Sequence, residues 1–317
     1  SAGFETISFD NSFSDTPSLL TQVQTYNGGD WVTTRTKSIT SQSFNVAMQE
    51  EEKLNSGGHA PETLGWFAID SGTANDGDTI LEGGTTGNSF NHVASAESFS
   101  SSFTDTPAFI AKLGSYRGAD PASLRTTEIS SDGFKAFVAE EQSFDAELSH
   151  ITESINFLAM DSSSGSLGGS EYTATTTTLG EYGTISADHK WQTVSFNNSY
   201  TNPVVIVSDP SFNGGDPGNI RIRNVGTSSF DLKFQEPNYK DGSHITEQAS
   251  YLIVESGEWE MSDGTRFSAG TTTTDKLTSA GFETISFDNS FSDTPSLLTQ
   301  VQTYNGGDWV TTRTKSI

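Results

Sequence analysis

Apolar and polar residues alternate with a period of two at several places along this chain. Phe44, Val46 and Met48 fall on one side and Asn45, Ala47 and Gln49 on the other; Phe230, Leu232 and Phe234 repeat the pattern. Such alternation marks a strand with one buried face. The runs Leu64 to Ile69, Ile155 to Met160 and Tyr251 to Val254 are short and continuously apolar, which predicts central strands covered on both faces. No stretch keeps apolar residues at i, i+3, i+4 and i+7 over three turns, so helices are expected to be brief or absent. The fold class expected is all-β.

Self-similarity organises these elements. Residues 1–39 recur without a change as residues 279–317, an offset of 278. Within that period lies a more diverged threefold repeat, anchored by Pro17, Pro107, Pro203 and Pro295 at spacings of 90, 96 and 92. Asp30, Asp120, Asp216 and Asp308 keep this register, as do Arg35, Arg125 and Arg221, and then Phe44, Phe134 and Phe230. His59-Ala-Pro-Glu62 corresponds to His150-Ile-Thr-Glu153 and His244-Ile-Thr-Glu247. The expected organisation is three tandem antiparallel β-sandwich modules plus a partial fourth: residues 1–90, 91–170, 171–258, and 259–317 as the start of the next repeat. Turn signals such as Asn27-Gly28-Gly29-Asp30 and Asn213-Gly214-Gly215-Asp216 separate the strands. Gly, Ser and Thr-rich joints carry Thr175 to Thr178 and Thr271 to Thr274, either connecting strands or solvated linkers, with strands favoured because β-branching stiffens an extended chain. Several small cores strung along a thread are expected. The opening module lacks a counterpart of residues 259–278, so completion by a neighbouring segment, within or between chains, is expected as well.

Charge removes several functions. Across 317 residues, 41 acidic against 16 basic side chains give a net charge of -25, which repels phosphate backbones and anionic lipid. No nucleic-acid partner is expected, and with no apolar run of about 18 residues, no membrane insertion either. Hydrophobic residues are only 32%, but 21 Phe and 5 Trp supply large units of buried area, so a packed interior is expected rather than disorder. There is no cysteine, hence neither disulfides nor thiolate chemistry.

The segments FETISFDNSFSDTP, SQSFNVAMQEEE and ETLGWFAID, separated by variable turns, resemble the H-type lectin module. That resemblance covers most of each repeat. It implies a six-stranded antiparallel β-sandwich acting as an extracellular sugar-binding or adhesive module, often trimeric in the lectins themselves. No sugar-contacting residue carries over, because no matching signature is present.

Read from the residues alone, the sharpest polar set joins an acid before a turn to His-x-x-Glu: Glu50 or Glu51 with His59 and Glu62, Glu140 or Glu141 with His150 and Glu153, and Glu236 with His244 and Glu247. With Asp30, Asp120 and Asp216 beside glycine turns, these are the candidate metal ligands: their carboxylates suit calcium and imidazole suits zinc, so the His-containing set is a compromise for either ion, and the Asp residues read first as ordinary turn residues. The competing reading, which leads, is that His and Glu bond each other and nearby backbone to brace a turn in every module. Candidate sugar contacts are Tyr26, Trp31, Arg35, Tyr116 and Arg125, aromatic faces and planar guanidinium groups near the variable turn, although such arginines more often sit in internal ion pairs. Trp66 and Trp191 read as core. No nucleophile elbow, HExxH or phosphate loop occurs, so no enzyme is expected. The expected function is an extracellular or cell-surface structural and adhesive tandem-repeat protein forming an extended fibre or layer. Its expected partners are identical repeats, by self-association or end-to-end assembly, and glycans. The alternative is the carbohydrate-binding region of a secreted polysaccharide-processing enzyme.

Overall fold

The computed structural model describes residues 7–11, 13, 15–23, 25, 27, 32–53, 60–77, 79–170, 176–275, 283–290, 295–302 and 313–315. Among them every regular element is a strand. The first repeat holds β1 (Ile7–Asn11), β2 (Ser18–Val23), β3 (Val32–Lys37), β4 (Ser43–Glu50) and β5 (Glu62–Asp70). A connecting strand β6 (Gly72–Asp76) leads to β7 (Thr79–Thr85), β8 (Ser95–Ser98), β9 (Ala108–Leu113), β10 (Ala122–Ser130), β11 (Gly133–Glu140) and β12 (Ile155–Met160). After β13 (Ser164–Ser170) come β14 (Thr176–Ala187), β15 (Gln192–Ser195), β16 (Pro203–Val207), β17 (Asn219–Arg223), β18 (Ser229–Gln235) and β19 (Glu247–Glu255). Then follow β20 (Gly257–Glu260), β21 (Arg266–Thr274), β22 (Glu283–Ser290), β23 (Pro295–Val301) and β24 (Arg313–Lys315).

Each module is a small antiparallel sandwich. In the second, β11 pairs with β10 and β8 to form one sheet, and β12 lies between β7 and β9 in the other. In the third, β18 pairs with β15 and β17, while β19 lies between β14 and β16. The first follows the same plan, except that the strand completing it comes from far along the chain: β5 takes β21 on one edge, Phe267 opposite Ile69 through Thr274 opposite Glu62. The strand completing module 2, β7, likewise precedes residue 91. The Thr-rich runs reach the described residues as parts of β14 and β21 and are strands.

The continuously apolar runs have a specific cause. Along β12, Ile155, Phe157 and Ala159 point into their own module's core with Phe90, Phe109 and Phe134, whereas Leu158 and Met160 enter a second cluster. That second cluster collects Phe67 and Ile69 from β5, Ala108 and Ile110 from β9, Val204 and Ile206 from β16, and Leu252 and Val254 from β19. All three modules therefore turn one sheet face to a common interior, and within this chain they gather around a shared core rather than standing apart as beads. Successive strand residues face opposite sides, so both subsets must be apolar and the run becomes continuous. The connecting strands meet there too, with β13 pairing to β20 at Ser170 and Glu260.

Candidate functional site

The strongest concentration of buried polar groups lies where one module meets the next. Glu62, Glu153 and Glu247 stand at or just before the start of β5, β12 and β19, and each is fully buried. Burying a carboxylate requires donors, and the preceding turn supplies them. Arg117 and Gly118 donate backbone N–H groups to Glu153 at 3.0–3.1 Å, and the Ser115 hydroxyl donates at 2.5 Å. Asn213, Gly214 and the Ser211 hydroxyl do the same for Glu247, at 2.9–3.1, 2.9 and 2.5 Å. The Asn27 N–H reaches Glu62 at 2.5 Å. His150 bridges Glu140 (2.8 Å) and Glu153 (3.2 Å) through its two ring nitrogens, and His244 bridges Glu236 (2.8 Å) and Glu247 (2.9 Å). The imidazole lies so close to the turn that a Cβ on Gly118 would meet His150 Cε1 at 2.3 Å, and one on Gly214 would meet His244 Nε2 at 2.5 Å. Glycine is required at both positions for want of space.

An arginine from the preceding module reaches across each joint, in two of them to the buried carboxylate itself. Arg35 on β3 donates to Glu153 at 3.2 Å and to the carbonyls of Gly118 (3.0 Å) and Asp120. Arg125 on β10 donates to Glu247 at 2.8 Å and to the carbonyls of Ser211, Asp216 and Gly214. Arg221 on β17 donates to the Thr25 carbonyl of module 1 at 3.5 Å. The direction is cyclic: first to second, second to third, third to first. A second cyclic set runs beside it, in which the Glu52 N–H meets Glu141 (2.9 Å), the Gln142 N–H meets the Tyr239 hydroxyl (3.2 Å) and the Asn238 N–H meets Glu51 (2.6 Å). Three modules thus close into a ring.

Burial pulls the Arg35 and Arg125 guanidinium groups down to about 10, opposed chiefly by Glu153 and Glu247 respectively, so both remain cationic at neutral pH. Burial would raise the Glu153 and Glu247 carboxyls, but hydrogen bonds from their histidines lead the opposing effects and hold both below the usual range. Burial also works against His150 carrying charge; the hydrogen bonds to Glu140 and Glu153 outweigh it and raise the group.

The structure brings together Glu140 with His150 and Glu153, and Glu236 with His244 and Glu247, as the repeat predicts. Glu51 and Glu141 belong instead to the second cyclic set. Asp120 and Asp216 join the clasps through their carbonyls, and the Asp216 carboxylate pairs with Lys240 at 2.7 Å near the surface. Among the described residues no group of three or more His, Asp or Glu is arranged to hold a metal ion. A guanidinium group faces each of Glu153 and Glu247 as a buried cation, and His150 stands beside Glu153 as a second positive group when protonated. Arg35 and Arg125 are fully buried and spent on these bonds, and Tyr116 lies half-buried with the Arg35 guanidinium 4.6 Å from its ring centre. Tyr26, Asp30, Trp31 and His59 lie outside the described residues. Trp66 is core, but Trp191 is only half-buried, with Arg223 and Lys233 at 4.0 and 5.1 Å from its ring. Aromatic content alone does not separate a core ring from one that carries cations over its face.

Sequence reasoning missed a further contact, the buried pair of Lys112 and Asp209 at 2.5 Å, with the Leu124 N–H on the other Asp209 oxygen at 3.1 Å. A lysine inside the apolar run of β9 was its only signal. Clefts lie at two of the joints: about 320 Å³ between modules 2 and 3, lined by Pro107, Thr126, Glu128, Asp209 and Gln248, and about 300 Å³ between modules 1 and 2, lined by Pro17, Thr85, Asn88, Tyr116 and Asn156.

No protein-family profile matches this chain, and no solved structure matches it. A relative is halomucin of Haloquadratum walsbyi, 35% identical over 135 residues, which is 40% of this chain and 1% of that protein. The chain therefore spans a very small part of that relative's length. Among the described residues, no helix is long and apolar enough to cross a membrane.

Proposed function

We propose that this chain is a structural unit of an extracellular or cell-surface protein, non-enzymatic, in which each 278-residue period folds into a three-module ring and successive rings build a fibre or layer. The observation that carries this reading is the cyclic set of buried inter-module bonds: among the described residues the concentrated polar chemistry goes into holding modules together. The relative's name agrees, since a mucin coats surfaces, and a net charge of -25 suits a solvated exterior coat. In electron micrographs of a chain carrying several periods, one compact particle per 278 residues is expected. One particle per module, evenly spaced, would refute the ring as the building unit. Calcium belongs to this proposal as a bridge between exposed carboxylates of neighbouring rings: chelation is expected to lower the melting midpoint, and an unchanged midpoint removes the cation.

A second reading, carbohydrate binding of the H-type lectin kind, is favoured by the polar-rimmed clefts recurring at two joints. Retention on a polysaccharide column that is lost on Tyr116→Ala would support it, whereas no retention on any glycan tested would leave the structural role alone.

A further inference from the structure

The two identical 39-residue segments meet the same partners. On β5, β2 pairs Ser18 with Ile69 and Leu19 with Ala68, continuing to Val23 with Leu64; β23 pairs Ser296 with Ile69 and Leu297 with Ala68, continuing to Val301 with Leu64. On β4, Ile7 and Ile285 both face Phe44, and Arg35 and Arg313 both face Ala47. The registers agree residue for residue across the 278 offset. Leu19 and Leu297 are both fully buried in the one module 1 core.

A strand has two edges, and each edge presents a single row of N–H and C=O groups. One edge of β5 is taken by β21, as β7 takes one edge of β12 and β14 one edge of β19. In modules 2 and 3 a single strand, β9 or β16, fills the other edge. On β5 two strands claim that remaining edge in one register. We propose that residues 1–39 and 279–317 are interchangeable occupants of one seat on β4 and β5, and that this seat accepts the same segment from a second copy of the chain.

Identical sequences make identical contacts, so only their tethers distinguish them. Residues 1–39 join the seat through the short link from β3 to β4, and residues 279–317 through residues 275–282 after β21, which is itself anchored on β5. Doubling a tether changes such a balance by only about threefold, so neither segment excludes the other. In a chain where the period recurs, every ring can close with its own leading segment or with that of its neighbour. The choice is a strand exchange that joins rings without any new interface. This inference does not depend on the surface-coat reading, since it concerns only which segment fills the seat.

The test uses the full chain with Leu19→Asp, Leu297→Asp and both together. Each single change is expected to leave the melting curve and the amide protection of β4 and β5 as in the parent, because the other copy takes the seat. The double change is expected to abolish that protection. Additive losses from the two single changes would overturn the proposal, since they would mean that both copies are held at once in separate places. A synthetic peptide of residues 279–317 added to the double variant is expected to restore protection of β4 and β5. Failure to restore it would overturn acceptance of the segment from another chain, while the silence of the single variants would still establish the shared seat.

Discussion

Phe157 and Leu158 are neighbours on β12, both essentially buried, yet they belong to different structures. Phe157 packs with Phe90, Phe109 and Phe134 inside one module, while Leu158 reaches the interior shared by all three. The first face packs phenylalanines with Ala, Leu, Val and Ile of a single module; the second is filled mainly by Leu, Ile, Val and Met supplied by three. The difference teaches that burial at a position and the range over which it couples are separate properties. A module built on its own face alone would leave the other apolar face exposed to water, which a soluble surface does not tolerate over several strands. The clasps of Arg, Glu and His join one module to the next and fix the order of the modules.

The sharpest way to break this distinction is to remove a clasp. Arg125→Ala leaves Glu247 buried without its guanidinium partner and is expected to cost about 3–5 kcal/mol, seen as a fall in chemical denaturation midpoint. Protection should be lost on both sides of the joint between modules 2 and 3, and loss confined to module 2 would contradict a clasp. Next, Phe157→Ala is expected to cost about 3–5 kcal/mol and Leu158→Ala about 2–5 kcal/mol. Their hydrogen-exchange patterns should differ more than their energies: the first loosens β8 to β12, and the second loosens β5, β12 and β19 together. Matching patterns would erase the distinction between the two faces.

Smaller and finer is the dependence on pH. Glu153 and Glu247 are held below the ordinary value of 4.5, so what they contribute is present above about 4.5 and lost as pH falls through their lower folded values. His150, faced by Glu140, Glu153 and Arg35, is held above 6.5; its contribution is present below 6.5 and lost as pH rises through the folded value. The melting midpoint is expected to be highest between these limits, and a midpoint still rising toward pH 8 would count against a charged His150. Glu52 adds to the alkaline decline, because burial first and Asp120 second push its carboxyl up to about 7, so folding is disfavoured as pH climbs from 4.5 through 7. Glu52→Gln should flatten that part of the profile slightly, with no effect below pH 4.5.

Much of this was legible beforehand. Alternation at Phe44 to Gln49 and the runs before Asp70 and Asp161 marked the strands, and the registers of Arg35, Arg125 and Arg221 with the His-x-x-Glu triplets marked the clasp residues. Continuous apolarity at Ile155 to Met160 even announced two covered faces. Which surface covered the second face was not legible, and a string of separate cores was expected in its place. The partner of Arg35 lies 118 residues away, and that of Arg125 lies 122 away. Local pattern registers that a side chain leaves water, not which distant segment replaces the water.

By itself, then, the sequence determined the strands, their repeat and the polar residues set aside in each repeat, because period and side-chain chemistry act within a few residues of chain. Closure into a ring, the passing of each arginine to the next module and the meeting of two identical segments at one strand edge were decided only by the tertiary structure. Those outcomes depend on which surfaces meet in space, where an edge or a buried carboxylate has room for a limited set of partners, however many the chain offers.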